Sequence, residues 1–141
     1  MKKSIRITMM TLMVAILIPL YSSAENSHED KYFKFEFGRF YFTQSTDPRK
    51  KYDTSPIYCN VKSIWTTGNG FKLAAVRGNH SPSTFTPITY VTGPGVYYLK
   101  SNIKEDARSR GTVSTASIRC QKYGSFDKGT VSGVWSPDSY K

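Results

Sequence analysis

The stretch Tyr32-Phe33-Lys34-Phe35-Glu36-Phe37 alternates aromatic and charged side chains with a period of two. Successive side chains of an extended chain point to opposite faces. The stretch is therefore a half-buried strand, with Phe33, Phe35 and Phe37 inward and Lys34 and Glu36 outward. After Gly38 the pattern resumes in the opposite phase through Phe40 and Phe42. A glycine at such a flip predicts a β-bulge. Alternation returns three times downstream. Ile57, Cys59, Val61 and Trp65 share one face of a strand over 57–65, with Tyr58, Asn60 and Lys62 on the other. Ala116, Ile118 and Cys120 share a face over 112–122, and Val131, Gly133 and Trp135 share one over 129–136.

Turn signals separate these strands. Gly68-Asn69-Gly70 predicts a hairpin whose return strand is 71–77. Gly93-Pro94-Gly95 divides two short strands, 88–92 and 96–101. The polar segment 43–56, with Pro48, reads as a long connection, and 102–111 has room for one helical turn at 104–108. About seven short strands without a convincing helix specify an all-β fold, an antiparallel β-sandwich. A small β-barrel is the alternative. Two inward cysteines with a tryptophan between them suggest an immunoglobulin domain. Trp65 follows Cys59 by only six residues, however, and Ile118 stands where that fold carries a tyrosine, so the label does not fit.

The N-terminus has a different composition. Lys2, Lys3 and Arg6 precede an apolar run from Met9 to Leu20, and Ser22-Ser23-Ala24 supplies small residues after it. This is the pattern of a secretory signal peptide, with cleavage expected after Ala24. The apolar stretch 7–21 is shorter than the roughly 20 residues of a membrane-spanning helix. The expected location is secreted and extracellular, and the style of the leader is bacterial. The working chain is then a loose leader at 25–31, one domain at 32–136 and a loose C-terminus at 137–141. Cys59 and Cys120 are the only two cysteines. In an oxidising compartment they are expected to pair as a disulfide, with a pair of buried free thiols as the rival arrangement.

Without Lys2, Lys3 and Arg6, seventeen basic residues remain against ten acidic ones, a net charge of +7. Positive charge concentrates in Arg49-Lys50-Lys51 and in Lys100, Lys104, Arg108 and Arg110. Such clusters suit an anionic cell-wall polymer or a membrane surface. Nucleic acid does not belong to this compartment. Nineteen of the twenty aromatic residues lie beyond Ala24. Tyr58, Tyr97 and Tyr98 fall on or near the outward phase of their strands, where a tyrosine face suits sugar stacking. Catalysis has little to draw on. His28 and His80 lie in presumed loops, no pair of carboxylates stands out, and the cysteines and histidines lack metal-ligand spacing. The expectation is a protein with no catalytic residue, metal or cofactor.

The closing residues Gly129-Thr130-Val131-Ser132-Gly133-Val134-Trp135-Ser136-Pro137-Asp138 resemble the last strand of a family of small secreted proteins of Gram-positive bacteria whose function is not established. The Phe/Tyr-rich strand over 32–42 resembles that family's first strand. The resemblance implies a secreted β domain and supplies no catalytic residue. Together with the charge, it implies a non-catalytic binding or accessory role at the cell envelope. A bacteriocin-like antibacterial protein is the alternative.

Overall fold

The computed structural model describes residues 28–78 and 87–140. The expected signal peptide, the first part of the leader, His80 and Lys141 lie outside the described residues. Those described form nine strands and one helix: β1 (Lys31–Phe37), β2 (Thr43–Ser45), β3 (Arg49–Lys50), β4 (Ile57–Thr66), β5 (Phe71–Arg77), β6 (Thr89–Val91), β7 (Gly95–Leu99), α1 (Ile103–Ser109), β8 (Thr115–Lys122) and β9 (Gly129–Ser136). They build two antiparallel sheets. One runs β1-β9-β4-β7; the other runs β2-β8-β5-β6, with β3 also paired to β8. Neither closes into a barrel, and the fold is an all-β sandwich.

The core follows the alternation. Phe33, Phe35 and Phe37 of β1, Ile57, Cys59 and Val61 of β4, and Val131 and Trp135 of β9 are buried from one sheet. Phe71, Leu73 and Ala75 of β5 meet them from the other, with Ala116, Ile118 and Cys120 of β8. Burying an aliphatic or aromatic side chain of this size contributes about 1.5–3 kcal/mol, so the two inner faces carry most of the driving force. β9 is flanked by β1 and β4.

Several expectations change. Trp65 is 60% exposed, not core. The register of β4 against β9 shifts between Val61 and Ser63, so Lys62 and Ser63 both face solvent and every later side chain changes sides. Ile64 takes the half-buried position instead. No bulge forms at Gly38. β1 ends at Phe37, and Phe40, Tyr41 and Phe42 leave the sheet as exposed side chains. The turns at 67–70 and 92–94 do not close hairpins within a sheet. Each carries the chain from one sheet to the other, since β4 and β7 lie in one and β5 and β6 in the other. Gly70 makes the first crossing feasible. Its φ of 114° is costly for other residues, and a Cβ there would lie 2.3 Å from the Val91 carbonyl oxygen.

The polar segment 43–56 is not a plain connection. It lays β2 and β3 along β8, with Thr43 opposite Gln121 and Arg49 opposite Ala116. A polar edge strand suits this place, because it discourages pairing with another chain. The C-terminal segment 137–139, expected to be loose, is buried.

The disulfide is also corrected: Cys59 and Cys120 are both free and buried. Both point inward as expected, one from each sheet. A bridge also needs Cα atoms roughly 4.4–6.8 Å apart with the two sulfurs aimed at one another, and alternation fixes neither. Inward orientation alone therefore makes core packing, not a bridge. Burial pushes the Cys59 thiol up to about 12 from 9.0, and the same burial, with the neighbouring Cys59, pushes Cys120 higher still. Unfolded thiols lose their protons near pH 9 while the folded ones keep theirs. Stability is therefore intact below pH 9 and falls above it, by about 1.4 kcal/mol per pH unit for each thiol. Urea unfolding at pH 8 and pH 10.5 should show this loss, and a Cys59→Ala/Cys120→Ala chain should lack that share of it. In denaturant without reductant, two thiols should titrate; a count of zero would restore the bridge.

Candidate functional site

At the end of the sandwich where β4 begins and β7 and β9 finish, the outer face of the β1-β9-β4-β7 sheet carries a slot of about 370 Å³. Tyr58 lies between Ile57 and Cys59, which are buried, so its ring must face out. It stands opposite Tyr98 of β7 on one side and Ser136 of β9 on the other. The two tyrosine rings meet edge to face with centroids 6.0 Å apart. Asn60 Nδ2 donates to Tyr58 Oη at 3.2 Å and steadies that ring. His28 and Tyr140 bring a second aromatic pair to the slot, stacked at 4.2 Å with an interplanar angle of 15°. Asp30 and Ser139 also line it. Among the described residues, the buried Ser139 hydroxyl has no hydrogen-bond partner.

A buried ion pair fixes the segment that carries Tyr140. Lys51 and Asp138 side chains are both fully buried, with Lys51 Nζ 2.9 Å from Asp138 Oδ1. Lys51 Nζ also donates to the Ser55 carbonyl at 2.6 Å and the Pro137 carbonyl at 2.8 Å, which uses all three of its protons. Asp138 Oδ2 accepts the Tyr52 backbone N–H at 2.9 Å. Ser139 N donates to Ser55 Oγ at 2.8 Å, closing the same junction. The loop before β4 and the tail after β9 are thus one unit, and the slot lies over it.

Residues 20–139 match the model of a family described as a protein of unknown function, DUF2712. The chain belongs to this family. No curated protein and no solved structure matches it.

In this DUF2712 chain the expected tyrosines separate. Tyr58 and Tyr98 share the slot. Tyr97 turns the other way, packs against the core and donates its hydroxyl to the Gly93 carbonyl at 2.8 Å, so it braces the 92–94 turn. Several members of the expected basic clusters are engaged within the fold. Lys51 is buried in the ion pair. Arg49 donates to the Glu29 carbonyl at 2.8 Å and lies 5.4 Å over the Trp135 ring, fastening the leader to β9. Lys50, between them, is exposed. An alternating strand places neighbours on opposite faces, so a basic triplet need not make a patch. Around α1, Arg110 and Arg77 both bind the Asp106 carboxylate, Arg77 at 2.6 Å. Lys104 is half-buried, while Lys100 and Arg108 are exposed.

Sequence reasoning missed His28, Tyr140, Ser139 and Asp138, since both termini of the domain read as loose. An acid three residues after a core tryptophan was the available signal, but its partner Lys51 lies 87 residues away.

Proposed function

We propose that this chain is a non-catalytic binding domain that works outside the cell at the bacterial envelope, and that its slot holds a neutral sugar residue of an envelope glycan. The observation that carries the reading is the outward Tyr58–Tyr98 pair, set in register across two strands beside the stacked His28 and Tyr140. A sugar ring presents an apolar C–H face and a rim of hydroxyls. Aromatic walls take the face, and a few fixed polar groups take the rim. The exposed Asp30 carboxylate supplies acceptors at that rim. Among the described residues, no lysine or arginine lines the slot. This favours a neutral sugar over an anionic polymer in the slot itself. The signal-like N-terminus supports the location.

Retention on purified cell wall tests the reading. The parent chain should be retained at both low and high salt, because contact with a neutral sugar is not screened. Tyr58→Ala/Tyr98→Ala should weaken retention by about tenfold or more, since each aromatic contact contributes roughly 0.5–1.5 kcal/mol beyond its buried area. Retention that vanishes with salt, or that survives the double substitution, counts against the slot.

A further inference from the structure

The opposite end of the sandwich has a different surface. There β1 ends at Phe37 opposite Gly129, and β8 ends at Lys122 opposite Phe71. Phe40 is 81% exposed, Tyr41 68% and Phe126 78%, and Phe42 and Tyr123 are about half exposed. Exposed large aromatics gathered in this number on one end of a domain mark a place of contact.

These side chains are held in place. Lys122 is buried, and its Nζ donates to the Gly38 carbonyl at 3.0 Å, the Arg39 carbonyl at 3.3 Å and the Ser125 carbonyl at 3.0 Å. It also lies 4.6 Å over the Phe42 ring. One ammonium group therefore ties the 38–42 loop to the 123–128 loop, so Phe40 and Phe126 protrude from fastened loops. Lys72 Nζ sits 4.9 Å over the Tyr123 ring, which packs against Tyr90 at 5.8 Å.

Charge at this end is mostly positive, and the nearby Glu36 of β1 is paired with Lys34. Arg39 and Lys128 are exposed and Lys72 is half-exposed. Asp127 is the one acid in the four loops 38–42, 67–70, 92–94 and 123–128. Its partly exposed carboxylate accepts the Gly124 N–H of the same loop at 2.7 Å.

We propose that this end is a membrane-docking tip that seats on an anionic lipid bilayer, with Phe40, Tyr41 and Phe126 entering the headgroup layer and Arg39, Lys128 and Lys72 facing the lipid phosphates. Aromatic side chains favour the membrane–water interface, and basic residues beside them add attraction to anionic headgroups. The tip is independent of the tyrosine slot, which lies at the far end of the sandwich. A chain that holds a glycan at one end and lipid at the other is oriented between wall and membrane.

The test uses a Phe40→Trp chain with vesicles of phosphatidylglycerol and phosphatidylcholine in equal parts. Relative to the parent chain, which reports Trp65 and Trp135 alone, the added emission should shift to the blue and be quenched by brominated lipid. Pure phosphatidylcholine vesicles should give much less of either. Phe40→Ser/Phe126→Ser should weaken co-sedimentation by about tenfold or more at low salt. Both side chains are exposed, so its thermal midpoint should match the parent's. Unshifted emission at position 40, or a double variant that sediments as the parent does, overturns the proposal. Tyr58→Ala/Tyr98→Ala should leave vesicle binding intact, which separates failure of the tip from failure of the slot.

Discussion

Lys51→Ala should destabilise the protein by about 3–5 kcal/mol, because it strips the partner from a carboxylate that no water reaches. Both side chains of the Lys51–Asp138 pair are fully buried. Removing the ammonium takes the cationic partner from the Asp138 carboxylate, to which the Tyr52 and Asp53 N–H groups still donate. The Ser55 and Pro137 carbonyls lose their donor as well. Urea unfolding at neutral pH measures the effect, and a change under about 1 kcal/mol, the usual range of an exposed ion pair, contradicts it. Lys51→Met/Asp138→Leu removes both charges and should recover most of the loss, since an apolar pair of similar volume often replaces a buried ion pair at little cost. The junction does more than stabilise. It fixes residues 137–139 against the loop before β4, so its loss should also release Tyr140 from the slot.

Gly133→Ala should cost about 3 kcal/mol or more, the upper range for forcing atoms into a packed interior. Gly133 lies in β9 opposite Val61, where the register of β4 shifts. A Cβ there would sit 2.1 Å from the Asn60 carbonyl oxygen and 3.0 Å from the Val61 Cα. Those are backbone atoms of the neighbouring strand, so no side chain can swing away. A strand glycine marks a close approach of another backbone, and here that approach holds the central strand pair together. Gly38→Ala is the matching control. A Cβ at Gly38 meets nothing within 4 Å, so its effect should stay within about 0.5 kcal/mol. Equal unfolding midpoints for the two variants would contradict the packing described for β4 and β9.

Much of the sandwich is legible in local alternation. Phe33, Phe35 and Phe37 face in because their neighbours are charged, and Cys59, Cys120, Val131 and Trp135 follow the same rule. The misses come from what alternation does not carry. A one-residue bulge after Val61 reverses the phase and sends Trp65 to the surface. The glycine turns are visible, but the sheet that receives the next strand depends on which inner face is still open. Thr43 to Lys50 has no apolar signal, since edge pairing to β8 needs only backbone groups. The slot was half legible: Tyr58 declares itself by phase, while of the consecutive Tyr97 and Tyr98 only the structure shows which faces out. His28 and Tyr140 arrive through an ion pair between residues far apart in sequence.

The reading as a glycan-binding domain rests on the tyrosine slot, and amide chemical-shift mapping with soluble cell-wall glycan fragments tests it most directly. The account predicts saturable shifts centred on Tyr58, Tyr98, Ser139 and Tyr140, with none at Phe40 or Phe126. Shifts confined to other residues, or none at millimolar fragment, would contradict it.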